Sequence, residues 1–206
     1  MIKSFYIIDD HEMLRLGTSG WITTNSEWKC AGDAGTHEAA LADFEKLSAA
    51  GTLPSVVICD INFYGENTGL DFIKQLLANY PGLKIIVYSM FFAAGMVQSA
   101  IKNGACGYVS KNAPSTELLD AMEKALSGEV FVQKELETKL IKYNQFTDAL
   151  TRREKEVMEL LLQRCSNDEI ANQLDIKKRA VENYISSIYE KTGVNDRAEL
   201  IERYGK

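Results

Sequence analysis

The feature that most constrains the fold is a change in the periodicity of apolar residues along the 206-residue chain. Through residue 127, short runs rich in β-branched residues alternate with longer segments of helical periodicity, and this alternation is typical of a parallel α/β sheet. From Thr151 onward, the apolar residues recur only at helical spacing. The sequence therefore predicts an α/β domain over residues 1–127, a linker over 128–147 and an all-helical domain over 148–206.

The amino-terminal domain is predicted to have five strands and five helices, the count of a flavodoxin-like (βα)5 fold. Continuously apolar strands fit a sheet that is covered by helices on both faces. The predicted strands are Lys3–Ile8, Trp28–Ala34, Val56–Asp60, Lys84–Tyr88 and Gly107–Val109. The predicted helices are Glu12–Thr23, His37–Ala49, Leu70–Asn79, Ala93–Asn103 and Thr116–Ser127. The linker has apolar residues at helical spacing and is predicted to be partly helical.

Carboxylate, hydroxyl and ammonium side chains follow the ends of the predicted strands, at the edge where open parallel sheets bind ligands. They are Asp9 and Asp10 after the first strand, Asp60, Ser89 and Lys111. Three carboxylates converging from two strands form the hard oxygen site that suits Mg²⁺. If Asp60 attacks as a nucleophile, the Lys111 ammonium and the Ser89 hydroxyl can hold phosphoryl oxygens. The pattern indicates phosphoryl transfer onto a carboxylate.

The order and spacing of these residues, together with the stretch Gly104–Tyr108 before the lysine, resemble the receiver domain of two-component response regulators. The stretch Asp9–Gly17 resembles the subgroup whose receivers carry a LuxR-type DNA-binding domain, the NarL/FixJ-like regulators. The resemblance covers nearly the whole chain. It implies a flavodoxin-like receiver followed by an all-α, four-helix helix-turn-helix domain.

The resemblance also assigns roles to the residues at the carboxyl edge. It implies that Asp60 is the phosphoacceptor and that Lys111 pairs with the phosphoryl group. Asp9, Asp10 and Asp60 are then expected to bind Mg²⁺ together with the main-chain carbonyl of Asn62. None of these positions is lost, so the resemblance favours a receiver that depends on phosphorylation.

A hydroxyl and an aromatic residue, Ser89 and Tyr108, resemble the switch pair of receiver domains. A phosphoryl group adds nearly two negative charges and new acceptor oxygens, which can pull Ser89 inward and leave space for Tyr108 to follow. Without the family, Tyr108 is equally well explained as an ordinary strand aromatic.

Two loops depart from the family pattern. Phe63 and Tyr64 replace the usual Met-Pro pair after the phosphoacceptor, and Gly69 arrives one residue late, so we expect a longer and bulkier loop. Phe91 and Phe92 replace the usual polar residues after Ser89. They indicate either an added core contact or a surface for a partner.

The carboxy-terminal domain contains three helix start signals of one type. In a capping box, a short oxygen side chain accepts from the N3 amide while a glutamate three residues on reaches back to the cap amide. The three pairs are Thr151 with Glu154, Ser166 with Glu169, and Asp196 with Glu199. With a further helix before Gly193, four short helices are predicted. The stretches Leu150–Val157, Ser166–Ala171 and Ile188–Val194 resemble the LuxR-type helix-turn-helix.

The third of these helices is predicted to be amphipathic and to read DNA. At 100° per residue, its apolar side carries Val181, Tyr184, Ile185, Ile188, Tyr189 and Thr192. Its other side is polar and short, as a major-groove helix requires. The residues expected to contact DNA are Lys177, Lys178, Arg179, Glu182, Asn183, Ser186, Ser187 and Lys191. A solvated face in a protein-binding module is the alternative.

This domain departs from its family at two positions. Arg164 stands where a glycine commonly precedes the second helix, and Glu182 stands where a lysine often opens the reading face. A carboxylate repels phosphates, so we expect weaker non-specific binding and an altered choice of sequence. The basic triplet at 177–179 is expected to compensate.

The composition sets the class of partner. The net charge of -6 argues against a protein coated with positive charge, so local basic patches must carry any DNA binding. No apolar run is long enough to span a membrane and no export signal is seen, so a cytoplasmic protein without a membrane partner is expected. By resemblance, the partners are a sensor histidine kinase, double-stranded DNA, a second copy of the chain in the active state, and RNA polymerase.

Two other classes of function remain open from the residues alone. The first is a Mg²⁺-dependent phosphohydrolase with Asp60 as a covalent nucleophile, but Asn62 stands where such enzymes need an acid/base aspartate. The second is an adaptor whose carboxy-terminal helices bind protein. Binding to duplex DNA that weakens with salt would distinguish a DNA-binding regulator from that adaptor.

Overall fold

The structure is a computed structural model that describes residues 3–63, 68–91 and 93–204. The chain forms two compact units, residues 1–91 with 99–133 and residues 92–98 with 134–206. The division of the chain after residue 133 falls inside the predicted linker. Within the described residues, no helix is long and apolar enough to cross a membrane.

The first unit is built on a parallel sheet. Its strands are β1 (Ser4–Ile8), β2 (Lys29–Ala34), β3 (Val56–Cys59), β4 (Lys84–Ser89), β5 (Gly107–Ser110) and β6 (Phe131–Val132). They lie in the order β2-β1-β3-β4-β5-β6. The helices that follow β1 to β5 are α1 (Glu12–Asn25), α2 (His37–Ala49), α3 (Gly69–Asn79), α4 (Ala94–Lys102) and α5 (Ser115–Ser127). Each predicted strand and helix of this region is confirmed, with ends that agree within two residues.

Strand register brings the ends of β1 and β3 side by side. Ile8 pairs with Cys59, and the amide of Asp60 donates to the carbonyl of Ile8 over 2.8 Å. Every residue of β3 and β5 is buried, as expected for a sheet with helices on both faces. The aspartates that follow β1 and β3 therefore emerge together at one edge of the sheet.

The sheet has one strand more than the five predicted. The short strand β6 extends the edge beyond β5, where the amide of Phe131 donates to the carbonyl of Cys106 over 2.9 Å. Two residues are too short to show the alternation by which strands are recognised, so this pairing had no signature in the sequence. The rest of the predicted linker is largely the helix α6 (Lys134–Asp148).

The second unit contains the four predicted helices. They are α7 (Arg152–Leu162), α8 (Asn167–Gln173), α9 (Lys178–Thr192) and α10 (Arg197–Tyr204). The capping boxes that begin at Thr151 and Ser166 are both present. At α10, Asp196 accepts from the amide of Glu199 as predicted, but the Glu199 carboxylate accepts from the amide of Asn195 instead of Asp196. The third box is thus shifted by one residue on its glutamate side.

Two helices of this unit end in a left-handed residue that is not glycine. Arg164 follows α7 with φ 66°, and Asp175 follows α8 with φ 51°. After α7, the Arg164 amide donates to Leu161 and the Cys165 amide donates to Leu160, which is the hydrogen-bond pattern of a Schellman motif. Arg164 therefore takes a glycine-type conformation, at the position where the family commonly has glycine.

The core of the helical unit forms around α9. Val181, Ile185 and Ile188 are buried, and Tyr184 and Tyr189 pack partly buried against the same cluster. The predicted amphipathic pattern of this helix is confirmed. Its polar side therefore faces away from this apolar core.

Candidate functional site

The candidate site of the first unit lies where the sheet order changes direction. β1 has β2 on one side and β3 on the other, so the loops after β1 and β3 leave the sheet on either side of a crevice. Asp9 and Asp60 occupy these loops and are 1% and 4% exposed. Carboxylates buried this deeply require a positively charged or hydrogen-bonding partner.

Lys111 supplies that partner from the loop after β5. Its Nζ lies 2.6 Å from Asp9 Oδ2 and 2.5 Å from Asp60 Oδ2, and its side chain is buried. Burial alone would lower the pKa of Lys111, but the hydrogen bonds and charges of Asp60 and Asp9 outweigh burial and raise it. Lys111 is therefore a fixed cation between two carboxylates, as its predicted role requires.

The other oxygen of Asp60 is held by the main chain. Asp60 Oδ1 accepts from the amides of Ile61 and Asn62 over 2.6 and 3.1 Å. Gly69 makes room for this loop, because a Cβ at that position would lie 2.4 Å from the Ile61 Cα and 2.8 Å from the Asp60 carbonyl oxygen. Asp60 thus presents its carboxylate in one defined orientation.

A group of possible metal ligands lies beside this ion pair. One ligand atom each from Asp9, Asp10 and His11 lies within 4.8 Å of the others. His11 Nδ1 is 2.7 Å from Asp10 Oδ1 and 3.3 Å from Asp9 Oδ1. Arg15 steadies the loop by donating to the Asp9 carbonyl over 2.7 Å. Asp9 and Asp10 were predicted as ligands and His11 was not, although its position next to them in the sequence was the available signal.

Both residues of the predicted switch pair are buried and meet at Phe91. Ser89 Oγ accepts from the Phe91 amide over 3.4 Å, and the Tyr108 hydroxyl donates to the Phe91 carbonyl. Burial raises the pKa of Tyr108 far above its ordinary value, so the hydroxyl remains a donor. Tyr108 is therefore already inside the domain, whereas the predicted switch had it enter only after Ser89 had moved.

The two unusual loops differ in their burial. Phe63 is 5% exposed and joins the core, and Tyr64 lies outside the described residues. Phe91 and its neighbour Met90 are 46% and 52% exposed, which does not fit an added core contact at Phe91. Phe92 also lies outside the described residues.

The polar side of α9 is divided between solvent and an internal partner. All residues of the predicted DNA-binding set except the half-buried Ser187 are exposed, namely Lys177, Lys178, Arg179, Glu182, Asn183, Ser186 and Lys191. Lys178 also pairs with Asp168 at 2.9 Å, which raises its pKa. Contact of these residues with DNA stays a prediction.

Two of the predicted DNA contacts, Ser187 and Lys191, bind Glu154 of α7. The Ser187 hydroxyl donates over 2.6 Å, and Lys191 Nζ lies 2.8 and 2.7 Å from the two carboxylate oxygens. Burial opposes the charge on Glu154, but these bonds and those from Thr151 outweigh burial and lower its pKa to about 2. Ser187 and Lys191 therefore have a contact inside the domain that their place in the sequence does not predict.

By fold and by the placement of its carboxylates, the first unit is a receiver domain, and the second is a helix-turn-helix domain. The family model of the response regulator receiver domain matches residues 5–123, and that of the luxR family of bacterial regulatory proteins matches residues 148–204. The chain belongs to the response regulators that join these two domains, and the predicted family is confirmed.

Relatives match the chain over nearly its full length. The transcriptional regulatory protein DesR of Bacillus subtilis is 36% identical over 97% of this chain and 95% of its own. The transcriptional activator protein ExaE of Pseudomonas putida is 30% identical over 95% and 92%. Among solved structures, an RcsB–DNA complex superposes with a TM-score of 0.73 at 23% identity and covers 98% of both chains, which supports the fold.

Proposed function

We propose that this response regulator accepts a phosphoryl group on Asp60 and that phosphorylation controls how its helix-turn-helix domain binds DNA. The observation that carries the proposal is the buried Lys111 held between Asp9 and Asp60. A cation held in this position can stabilise charge on a transferred phosphoryl group without reorganisation.

In the proposed reaction, Asp60 Oδ2 attacks the phosphorus of a phosphohistidine on a sensor histidine kinase. The new O–P bond forms as the P–N bond breaks, and the imidazole leaves as a neutral ring because its other nitrogen already carries a proton. The Ile61 and Asn62 amides hold the second oxygen of Asp60 and so aim the attacking one. Lys111 then exchanges its contact with Asp60 Oδ2 for a phosphoryl oxygen.

The donor set fits Mg²⁺, because the buried carboxylates of Asp9 and Asp60 share a single lysine, Asp10 lies next to Asp9, and hard oxygen ligands are those that Mg²⁺ prefers. Asp9, Asp10, Asp60 and the Asn62 carbonyl would hold the ion. When bound, it neutralises charge on the phosphoryl oxygens. Arg15 supports this set by anchoring the Asp9 main chain.

The proposed signal passes through the Phe91 peptide. The hydrogen bond that holds Ser89 Oγ there is long, at 3.4 Å, and therefore weak. A phosphoryl oxygen can compete for the hydroxyl at little cost in free energy. Tyr108 holds the carbonyl of the same residue. A shift of Ser89 thus changes both anchors of a loop whose Met90 and Phe91 side chains are exposed.

The proposed output is sequence-specific binding of double-stranded DNA by the exposed residues of α9, as a homodimer on a two-fold site. One of the similar solved structures contains two RcsB dimers bound to two parallel DNAs. Exposed apolar side chains on α1, Met13 at 81% and Leu16 at 56%, support self-association of this chain. RNA polymerase is the proposed further partner, and the cytoplasm is the proposed site of action.

The proposal is tested by labelling the chain with acetyl phosphate in the presence of Mg²⁺. We expect one acid- and base-labile phosphoryl group on the parent chain and none on Asp60→Asn. Asp71→Asn is the matched control, because Asp71 is an exposed aspartate of the same domain and should leave labelling unchanged. Equal labelling of the Asp60→Asn variant and the parent would remove Asp60 from the role.

A further inference from the structure

We infer that His37 is a positioning residue for the phosphoacceptor, because it closes an aromatic clamp on the segment that orients the Asp60 carboxylate. The aromatic clamp is defined as the side chains of His37, Phe63 and Phe72. The inference rests on the proposed function, since positioning of Asp60 matters only if that carboxylate reacts.

The orientation of Asp60 depends on the main chain directly after it. The amides of Ile61 and Asn62 both donate to Asp60 Oδ1, and the Asn62 carbonyl is the proposed main-chain ligand of Mg²⁺. A displacement of this segment therefore moves the carboxylate and the metal ligand together. Small displacements of reacting groups have large effects on rate.

The segment is held at both ends. Near Asp60, the amide of Gly69 donates to the Ile61 carbonyl over 3.1 Å, and Ile61 is fully buried. At the other end, Phe63 is 5% exposed and forms part of the aromatic clamp. Asn62 lies between these two anchors and, unlike Ile61, is only half-buried. The anchor at Phe63 therefore restricts the motion of Asn62.

His37 joins three elements in the aromatic clamp. It is the first residue of α2, and its ring lies 4.1 Å from that of Phe63 with an angle of 59° between the planes. Its other contact is with Phe72 of α3, at 4.1 Å and 10°, which is a stacked pair. The flat imidazole ring therefore packs between α3 and the loop that follows Asp60.

The imidazole serves the clamp through its shape and not through a hydrogen bond. His37 Nε2 is buried and has no hydrogen-bond partner among the described residues. Burial lowers the pKa of His37 against the opposing charge of Glu38, so the ring is neutral at neutral pH. A phenylalanine side chain also has a flat aromatic ring but no ring nitrogen, so His37→Phe should preserve the stacking and serve as a rescue variant.

The experiment compares His37→Ala, His37→Phe and Tyr80→Ala in the full chain. Tyr80 is the matched control, because its ring contacts Phe44 and so also joins α2 to the end of α3, away from Asp60. Amide hydrogen exchange at Ile61 and Asn62 reports the rigidity of the segment. Titration with Mg²⁺, followed by the NMR shifts of the same amides, reports the affinity of the site.

For His37→Ala, we expect faster exchange at both amides and Mg²⁺ affinity about 10-fold lower, with a matching loss in the rate of acetyl phosphate labelling. His37→Phe should keep values close to the parent. Tyr80→Ala should lower the melting temperature without changing exchange or Mg²⁺ affinity. If His37→Ala does not fold, Phe72→Leu opens the same stack and replaces it.

The inference is overturned if a folded His37→Ala chain exchanges and binds Mg²⁺ like the parent, or if Tyr80→Ala shows the same losses. It is also overturned if His37→Phe loses as much as His37→Ala. Failure of the proposed function looks different, because it appears as equal labelling of the parent and Asp60→Asn. The exchange data do not depend on phosphorylation and remain valid in that case.

Discussion

Among the described residues, a lysine holds buried carboxylates at two places, and the two places differ in the balance of charge. In the receiver domain, Asp60 shares Lys111 with Asp9. In the helix-turn-helix domain, Glu154 has Lys191 to itself. The first cluster keeps an excess of negative charge, whereas the second is neutral as a pair.

The difference shows why a buried carboxylate and lysine do not by themselves make a site. Glu154 accepts from Thr151, Ser187 and Lys191, so its hydrogen-bonding capacity is used within the domain. Both oxygens of Asp60 are also engaged, but its cation, Lys111, is shared with Asp9 at the carboxyl edge of the sheet, where Asp10 adds further charge. An uncompensated negative charge in a crevice attracts a cation, which can in turn hold phosphoryl oxygens, whereas a compensated carboxylate has no need of a further ligand.

The largest effect is expected from Lys111→Met, which leaves Asp9 and Asp60 buried without their common cation. We expect the unfolding free energy of the receiver to fall by about 3 kcal/mol in the absence of divalent ions. Added Mg²⁺ should restore much of it, because the ion replaces the ammonium as partner of the carboxylates. Both tryptophans, Trp21 and Trp28, lie in this domain, so tryptophan fluorescence during urea unfolding measures the change.

Lys74→Met is the control for this prediction, since Lys74 forms an exposed pair with Asp71. It should change stability little, with or without Mg²⁺. If Mg²⁺ stabilises Lys111→Met no more than it stabilises the parent, the excess negative charge does not form a cation site.

The second largest effect concerns the balanced pair. Glu154→Gln should lower the stability of the helix-turn-helix domain by about 2 to 3 kcal/mol at neutral pH and should show no rescue by Mg²⁺. The pKa of Glu154 falls from 4.5 to about 2 on folding, so its contribution is fully present above about pH 4.5. This contribution is lost as the pH falls toward 2, because Glu154 then becomes protonated in the folded domain as well as in the unfolded one.

Hydrogen exchange of peptides from α7 and α9, compared between pH 7 and pH 3, measures this dependence. Glu169→Gln is the matched control, since Glu169 belongs to the other capping box but has an exposed side chain. A Glu154→Gln defect of constant size across this pH range would show that charge is not what Glu154 contributes.

A smaller effect is expected where the second domain meets solvent. Asn183→Ala should cost about 1 to 3 kcal/mol on specific DNA and relax preference at one base pair, because an amide can pair with adenine. Glu182→Lys should raise affinity for all DNA and steepen the salt dependence by about one phosphate contact. Affinities across a salt series on specific and scrambled duplexes separate the two outcomes.

Glu190→Lys places the same charge at the other end of α9 and is the control. If the amino-terminal half of the helix enters the groove, this variant should change the salt dependence less than Glu182→Lys does. Unchanged affinity and salt slope for Asn183→Ala and Glu182→Lys on both duplexes would mean that this face of α9 does not read DNA.

The smallest effect concerns the backbone between α7 and α8. Arg164 has φ 66°, a conformation that costs an L-residue about 1 to 2 kcal/mol, of which glycine recovers part. Arg164→Gly should therefore stabilise the helix-turn-helix domain by roughly 0.5 to 1 kcal/mol. Thermal unfolding measured by circular dichroism tests this, with Arg164→Ala as the control that keeps the strain. Equal melting temperatures for the two variants would contradict the prediction.

Sequence reasoning located most of the elements and the main residues of the site. The strands and helices of the receiver follow from periodicities that extend over 4 to 14 residues, and the capping boxes at Thr151 and Ser166 follow from residues three positions apart. Asp9, Asp10, Asp60 and Lys111 could be placed together because parallel strands end at a common edge. Signals of this kind are complete within a short stretch of chain or are required by the topology.

The tertiary structure decided the contacts that no local pattern encodes. The pairing of β6 with β5, the burial of Tyr108 and the stacking of His37 on Phe72 depend on packing between distant segments. Lys191 shows the reason most clearly, because its place on the polar face of α9 predicted contact with DNA. Only the packing of α7 against α9 brings Glu154 within 2.7 Å of it. The buried carboxylate binds this lysine because a buried charge without a partner costs more free energy than the lysine gains from full hydration.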